Sequence, residues 1–562
     1  MPKRLWMVGL PSLLAAACSS SPVTQPPLAP CKATSSGQVA LGIGAYTAVD
    51  PTQTAGCAVF PANPLGSTIE YLVVPQSATS IPDDSQAFKL GGNPLAAPPA
   101  RRAPLAAVAG PSVAQQFDLR LRLAEREFAA QVPRSLRAPP RAPALVTPVD
   151  SGNVRTFKVC NTLSCDPRKS STLSSVTATA LKVGTHIAIY VDNAAPQPGL
   201  SQADLDNLRI VFDTRLYETD TLAFGGESDI DNNGMVIVLM SGKVNAMVPA
   251  AQCATTGFVA GFFFGADLIT TPPFATGNGG EIFYSIVPDP AGTLSCLHTV
   301  AAVTQLVPVT FVHEFQHMIS FNQHFLVRGN FPEDLWLNEG LSHYAEENGG
   351  RTFLPDTGTF CRYVFGDLYN AAQYFTAPQS YVLVDTTGIG GLANRGAYWL
   401  FVRYLVDQVG ATLGSADSVT RRLDMTALTG ATNVSNAAGG TSFPTVLARW
   451  ALANYVSDLP GFTTPPELQY VTWKFRTDYQ TMKNRCAVFF STSSLPDQLP
   501  LVPPIVDGTS AQLAGVLHAG SGSYYRLQQT AGASAFTLLF SNSAGGALRT
   551  TLVPRLNVIR IQ

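Results

Sequence analysis

The sequence predicts an α+β protein in which a mixed sheet is followed by a set of helices, with a small β-rich region at the N-terminal end and a β-sandwich-like domain at the C-terminal end. Three observations carry that expectation. Apolar runs of strand length, THIAIYVD and GMVIVLMS, bracket an amphipathic helical pattern, SQADLDNLRIVFDTRLY. Four further segments with helical spacing follow, through HEFQH, NEGLSHYAEE, GAYWLFVRYLVDQVG and FPTVLARWALANYVSD. Near both ends, short apolar runs such as YLVVP, GSYYRLQQ, FTLLFSN and LRTTLVP are separated by Gly, Pro, Asn and Ser, which is how short strands and turns read.

With 562 residues, 46% of them hydrophobic, the chain has material for roughly two to four folded units. Only 13% of residues are charged, and 36 basic against 38 acidic side chains leave a net charge of -2. No basic stripe is present, so nucleic acid is excluded as a partner. The first residues are a charged Met-Pro-Lys-Arg, the apolar LWMVGLPSLLAAA and Cys18, an export signal too short to span a bilayer. Residues 1–18 resemble a bacterial lipoprotein signal, which implies lipidation at Cys18 and anchoring to a membrane; Ala15 stands where that pattern prefers Leu, and an ordinary signal peptide cut nearby is the alternative. Ser19 after the Cys favours the outer membrane or cell surface, and the alternative signal implies an extracellular protein.

Residues 19–37 are rich in Ser, Pro and Thr and read as a flexible tether, and 38–91 as a small β-rich domain. Residues 92–154 form an Ala/Pro/Arg-rich linker that carries one helix, SVAQQFDLRLRLAEREFAAQV, whose Arg/Glu face is expected to be solvated. A densely patterned unit spans 155–502, and 503–562 read as the C-terminal β domain. Removing Cys18 for lipid leaves eight cysteines, an even number that in an exported chain points to disulfides. Cys160 with Cys165 is the first local pair to expect and Cys253 with Cys296 the next. A thiolate zinc knuckle is disfavoured because no C-x-x-C occurs.

The segment VTFVHEFQHMISF places His313 and His317 four residues apart. Four residues advance a helix by about 400°, so both imidazoles leave one face and can share a metal, with Glu314 between them free to act as a base. Imidazoles suit zinc, and a catalytic zinc takes three protein ligands. The best third ligand is Glu339, on a second helix in LWLNEGLSHYAEE. Earlier in the chain, Asp229, Asp231 and Asn233 in DIDNNG imitate the start of a calcium loop, but Met240 stands where an EF-hand needs Glu. An EF-hand is therefore excluded, and a β-turn feeding the strand, with a partial calcium site as the alternative, is the reading that remains.

HEFQHMISF together with WLNEGLSHYAEE resembles the glutamate-liganded zinc peptidases, the gluzincins, and most closely the hyicolysin-type neutral metallopeptidases. The resemblance extends from about Thr156 to Tyr455, through DIDNNGMVIVLM, GFFFGAD, GEIFYSIVPDP and RWALANYVSD. It implies a zinc metallopeptidase domain, with His313, His317 and Glu339 as ligands and Glu314 as general base, that hydrolyses protein or peptide bonds. His343 occupies the position where thermolysin-like enzymes have a carboxylate that orients a histidine, so support for the ligands must come from elsewhere; Glu346 is a candidate for that role or an alternative ligand. Tyr398 lies downstream at a distance like that of the catalytic Tyr in aminopeptidase-like gluzincins, and is the candidate donor to the developing oxyanion, with Tyr344 and His343 as competitors. His324 reads as structural. The absence of a G-x-M-E-N-like segment favours an endopeptidase over an aminopeptidase, and the absence of G-x-S-x-G argues against an esterase. The other class of function is a surface-displayed adhesion lipoprotein with a degenerate peptidase domain. A monomer is expected in either case.

Overall fold

The computed structural model describes residues 26–92, 112–137, 149–272, 274–386, 391–410, 413–487, 489 and 495–562. The signal-type segment with Cys18 lies outside the described residues. Four strands come first: β1 (Tyr46–Val49), β2 (Cys57–Phe60), β3 (Ile69–Ser77) and β4 (Ser85–Gly91). Helix α1 (Val113–Gln131) follows, its start set by a capping box in which Ser112 and Gln115 exchange side-chain-to-backbone hydrogen bonds.

The central sheet is built from β5 (Val154–Val159), β6 (Ser174–Val183), β7 (Ile187–Asp192), β8 (Val236–Met240), β9 (Gly261–Phe263) and β10 (Ile282–Ser285). Between β7 and β8 the chain makes α2 (Gln202–Val211) and α3 (Tyr217–Phe224); between β8 and β9 it makes two short helices, α4 (Gly242–Asn245) and α5 (Ala250–Thr256). The strand order is β5-β6-β7-β8-β10-β9, mixed as the sequence predicts, with β7, β8 and β10 parallel and β9 antiparallel at one edge. All five residues of β8, VIVLM, are buried, as a strand covered on both faces requires.

Helices then take over: α6 (Val300–Phe321), α7 (Leu335–Arg351), α8 (Thr357–Thr376), α9 (Leu392–Val409), α10 (Val419–Asp424), α11 (Gly430–Ala437), α12 (Phe443–Val456) and α13 (Phe475–Cys486). Helix α6 is capped by Thr299, whose side chain accepts from the Ala302 N–H, and it continues into a π-helical turn over Asn322–Val327. Helix α7 packs closely on α9 because position 340 is glycine: a Cβ there would come within 2.8 Å of the Tyr398 carbonyl oxygen and of Val402. Farther along α7, Glu347 is fully buried and receives Trp399 Nε1 at 3.1 Å, Trp473 Nε1 at 2.9 Å and Arg351 Nε at 2.8 Å, with Arg403 Nη1 at 3.3 Å. That satisfied carboxylate clamps α7 to α9 and to the start of α13.

The chain ends in β11 (Ile505–Asp507), β12 (Gln512–His518), β13 (Tyr525–Gln529), β14 (Phe536–Asn542) and β15 (Pro554–Arg560). The expectation of one β-rich unit at 38–91 and another at 503–562 is corrected here. Sheet orders β1-β15-β3-β13-β11 and β12-β4-β14-β2 interleave strands from both ends of the chain. Neither segment could cover its own apolar faces; together they enclose one core of Phe60, Tyr71, Phe88, Leu527, Leu538 and Val558. The opposite face of β3 and β15, through Leu72, Val74 and Ile559, joins the main core. LRTTLVP is not a strand: Thr550–Leu552 form a 3-10 turn ahead of β15.

Four disulfides join Cys31–Cys57, Cys160–Cys165, Cys253–Cys296 and Cys361–Cys486. Both expected pairs are present, and the set fits an oxidising, exported environment. Among the described residues no helix is long and apolar enough to cross a membrane.

Candidate metal centre

Two packed helices build the site. His313, Glu314 and His317 stand on α6, and Glu339, His343 and Glu346 on α7. His317 Nε2 lies 3.3 Å from Glu339 Oε1, and His313 Nε2 lies 3.8 Å from Glu339 Oε2. Ligand atoms of His313, His317 and Glu339 all fall within 4.8 Å of one another, so this trio can hold a metal ion. A second trio, His313, His343 and Glu346, meets the same criterion. The two nitrogens of one imidazole point apart, and His313 divides them: Nε2 faces Glu339, while Nδ1 is 2.7 Å from Glu346 Oε1. Glu346 thus sits where it fixes the ring's tautomer and orientation.

Behind Glu346 the network continues inward. His343 Nδ1 stands 3.1 Å from Glu346 Oε1 and 2.9 Å from Asp367 Oδ1 on α8. Burial works against charge on His343, but the two carboxylates outweigh it and raise the imidazole to about 10. Glu346 is correspondingly held down to about 2, mainly by His343 and His313 against the effect of burial. On the other ring, Ser342 Oγ is 3.1 Å from His317 Nδ1, and it donates to Gln316 Oε1, whose Nε2 donates to Asp424 at 3.0 Å.

Glu314 projects toward the sheet. Its Oε2 accepts the Phe263 N–H of β9 at 2.9 Å. Burial raises its carboxyl well above the ordinary value, with the Arg122 cation of α1 opposing. Burial also acts to raise Glu339, but Arg395 Nη1, 2.8 Å from Oε2, together with His317 and His313, holds that group well below the usual range.

Other candidates fall at varying distance from this centre. The Tyr398 hydroxyl donates to Asp385 at 3.0 Å, so its nearest partner is a carboxylate outside the His/Glu trio. Arg395, three residues earlier on α9, is the side chain that reaches Glu339. Tyr344 is buried, with Arg403 lying 5.1 Å over its ring. His324 is fully buried between Glu333 and Asp424, at 3.8 and 3.7 Å. Asp229 and Asp231 lie with Glu281, which precedes β10, in a third group able to hold an ion. Asn233 instead donates from Nδ2 to Asp231 and accepts the Met235 N–H, shaping the turn into β8.

Sequence reasoning missed Arg395, Asp367 and Glu281, which reach their clusters from distant segments. It also took the Arg/Glu face of α1 as solvated. Arg122 and Glu125 are in fact buried, because that face meets the Phe263 carbonyl of β9 and the Gly265 N–H of the turn that follows it.

The chain matches no protein-family model and no curated protein.

Proposed function

We propose that this protein is a zinc-dependent endopeptidase of gluzincin type, similar to the hyicolysin-type neutral metallopeptidases, exported and tethered to the outer membrane or cell surface through lipid on Cys18. The observation that carries the reading is the convergence of two imidazoles and one carboxylate, His313, His317 and Glu339, with Glu314 beside them on the same helix. This donor set fits zinc: two nitrogens and one oxygen, leaving room for a fourth ligand. Bound there, zinc would polarise a peptide carbonyl and make a water acidic enough to attack it at neutral pH. Within the chain, Glu346 holds His313 through Nδ1, which leaves Nε2 of that ring for the ion, while Ser342 Oγ packs beside the His317 ring, 3.1 Å from Nδ1 and 3.2 Å from Nε2. Glu314 is the group to take the proton of the attacking water and return it to the departing amine. The anchored Glu314 Oε2 leaves Oε1 for that exchange.

The test is metal dependence. Purified wild-type protein should carry one equivalent of zinc, and its hydrolysis of an unstructured protein such as casein should stop on chelation and return with added zinc. A metal-free protein that still cleaves casein would refute the reading, as would zinc-loaded protein without hydrolysis under any condition.

A calcium role is proposed for the Asp229, Asp231 and Glu281 group. Glu281 Oε1 accepts from Ser228 and from the Ile230 N–H, while Oε2 is buried without a hydrogen-bond partner, as is Asp231 Oδ1. Arg155 neutralises one of the three carboxylates, at 3.2 Å from Asp231. Oxygen donors of this kind select a hard cation. Calcium at a hundredfold excess over its Kd should stabilise the wild type by about 2.7 kcal/mol. Thermal melts should lose that increment in Glu281→Gln; an equal increment in both proteins would place calcium elsewhere.

A further inference from the structure

Two overlapping places are open to an ion between α6 and α7, and both use His313. One is the trio His313, His317 and Glu339; the other is His313, His343 and Glu346. On α7, Glu339, His343 and Glu346 follow one another at spacings of four and three residues, so all three leave one face of the helix, toward His313. Each place supplies two imidazoles and one carboxylate, a donor set that suits zinc equally well. Composition therefore does not decide between them, and the contacts of His343 do.

His343 Nδ1 stands 3.1 Å from Glu346 Oε1 and 2.9 Å from Asp367 Oδ1. A lone pair on that nitrogen would face two carboxylates, so the nitrogen carries its hydrogen and has nothing to give a cation. Asp367 is fully buried on α8, and among the described residues neither of its oxygens accepts a hydrogen bond of good geometry from any other group. A buried carboxylate of this kind is costly unless a partner compensates it, and its close partner is His343. The position of α8 is itself fixed. It approaches α7 at Gly350, where a Cβ would come within 2.6 Å of Tyr363 Cβ; the Tyr479 hydroxyl of α13 donates to the Leu368 carbonyl at 3.2 Å; and Cys361–Cys486 ties α8 to α13. With His343 held from behind, Glu346 Oε1 remains 2.7 Å from His313 Nδ1, and Nε2 of that ring is directed at Glu339.

We propose that Asp367 is a positioning residue that selects the place of the metal: it retains His343, keeps the His313–His343–Glu346 trio closed to the ion and leaves Glu346 on His313, so that zinc enters the trio of His313, His317 and Glu339. This rests on the zinc centre of the reading above and adds what decides its ligands. Without Asp367, His343 and Glu346 are a free imidazole and carboxylate three residues apart on one helix face, and they compete for the same ion.

The experiment changes Asp367 and reads the metal. Asp367→Leu removes both oxygens at nearly the same volume, and Asp367→Asn keeps one acceptor oxygen. Zinc affinity is measured by competition with a chelator, and cobalt(II) is bound in place of zinc so that its visible absorption reports the ligand set. The Kd for zinc should rise about 10- to 100-fold in Asp367→Leu and stay within about threefold of the wild type in Asp367→Asn. The cobalt bands should move in Asp367→Leu, and His343→Leu added to it should return them to the wild-type positions, because the competing imidazole is gone. Unchanged affinity and bands in Asp367→Leu would overturn the proposal, and so would a variant that melts lower yet binds both metals as the wild type does, since Asp367 would then support only the fold. A wild type that binds no zinc would remove the metal centre and this proposal together. A wild type that binds zinc and does not hydrolyse casein would count against the peptidase reading alone, because affinity and bands are read without turnover.

Discussion

Glu314→Gln is expected to keep one equivalent of zinc and to lower hydrolysis by about a thousandfold. Gln is nearly isosteric with Glu, and its side-chain oxygen can still accept the Phe263 N–H that Glu314 Oε2 accepts at 2.9 Å. The fold contact therefore survives while the proton acceptor is lost, and general-base catalysis typically contributes about 10²- to 10⁴-fold. The proposed metal ligands are untouched, so zinc content separates loss of chemistry from loss of the site. Hydrolysis remaining within tenfold of the parent would move the base elsewhere. Glu346 would not be the natural substitute, because its Oε1 is committed to His313 Nδ1 and His343 Nδ1.

The second large effect concerns stability. Cys361 on α8 and Cys486 at the end of α13 close a loop of 125 residues that contains α9, with Arg395 and Tyr398, and α12. Both residues are buried in the main core. Opening a loop of that length raises the entropy of the unfolded chain by an amount worth about 4 to 5 kcal/mol. Replacing both cysteines by Ala should therefore lower the Tm by about 10 °C, given the usual relation between stability and melting temperature. The same change at Cys160 and Cys165, which close a loop of 5 residues, should cost visibly less. Calorimetry on the two double variants checks the order; a larger drop for the short loop would show that native packing, not chain entropy, sets these effects.

The heart of the site was legible because helical geometry is local. His313, Glu314 and His317 are fixed relative to one another by the α6 backbone, and Glu346 follows Glu339 by two turns, so spacing alone brings it back to the same face of α7. Glu339 needed the longer pattern around NEGLSHYAEE, whose Gly340 has its own physical reason in the approach of α9. Arg395 was not legible: it reaches Glu339 from a helix more than fifty residues away, and nothing in LANRGAYWLF marks one polar residue as facing a particular carboxylate. Periodicity likewise identified α1 but assigned its charged face to solvent, since a buried ion-pair network and a wetted surface have the same composition.

Strands show the same division. β7 and β8 were plain from THIAIYVD and GMVIVLM, being long apolar runs. The pairing of β15 between β1 and β3, and of β14 between β2 and β4, depends on contacts across more than 400 residues and leaves no trace in local pattern. A short alternating strand states that it has a buried face, not which strand covers it. The disulfides follow suit: Cys160–Cys165 was visible as a neighbour pair, while Cys31–Cys57 and Cys361–Cys486 required the fold.

The most direct test of the metal centre is anomalous diffraction at the zinc absorption edge from crystals of the purified protein. The arrangement of α6 and α7 predicts one strong peak bonded by His313 Nε2, His317 Nε2 and a Glu339 oxygen; a peak between His313, His343 and Glu346 instead, or no peak near α6, would contradict it.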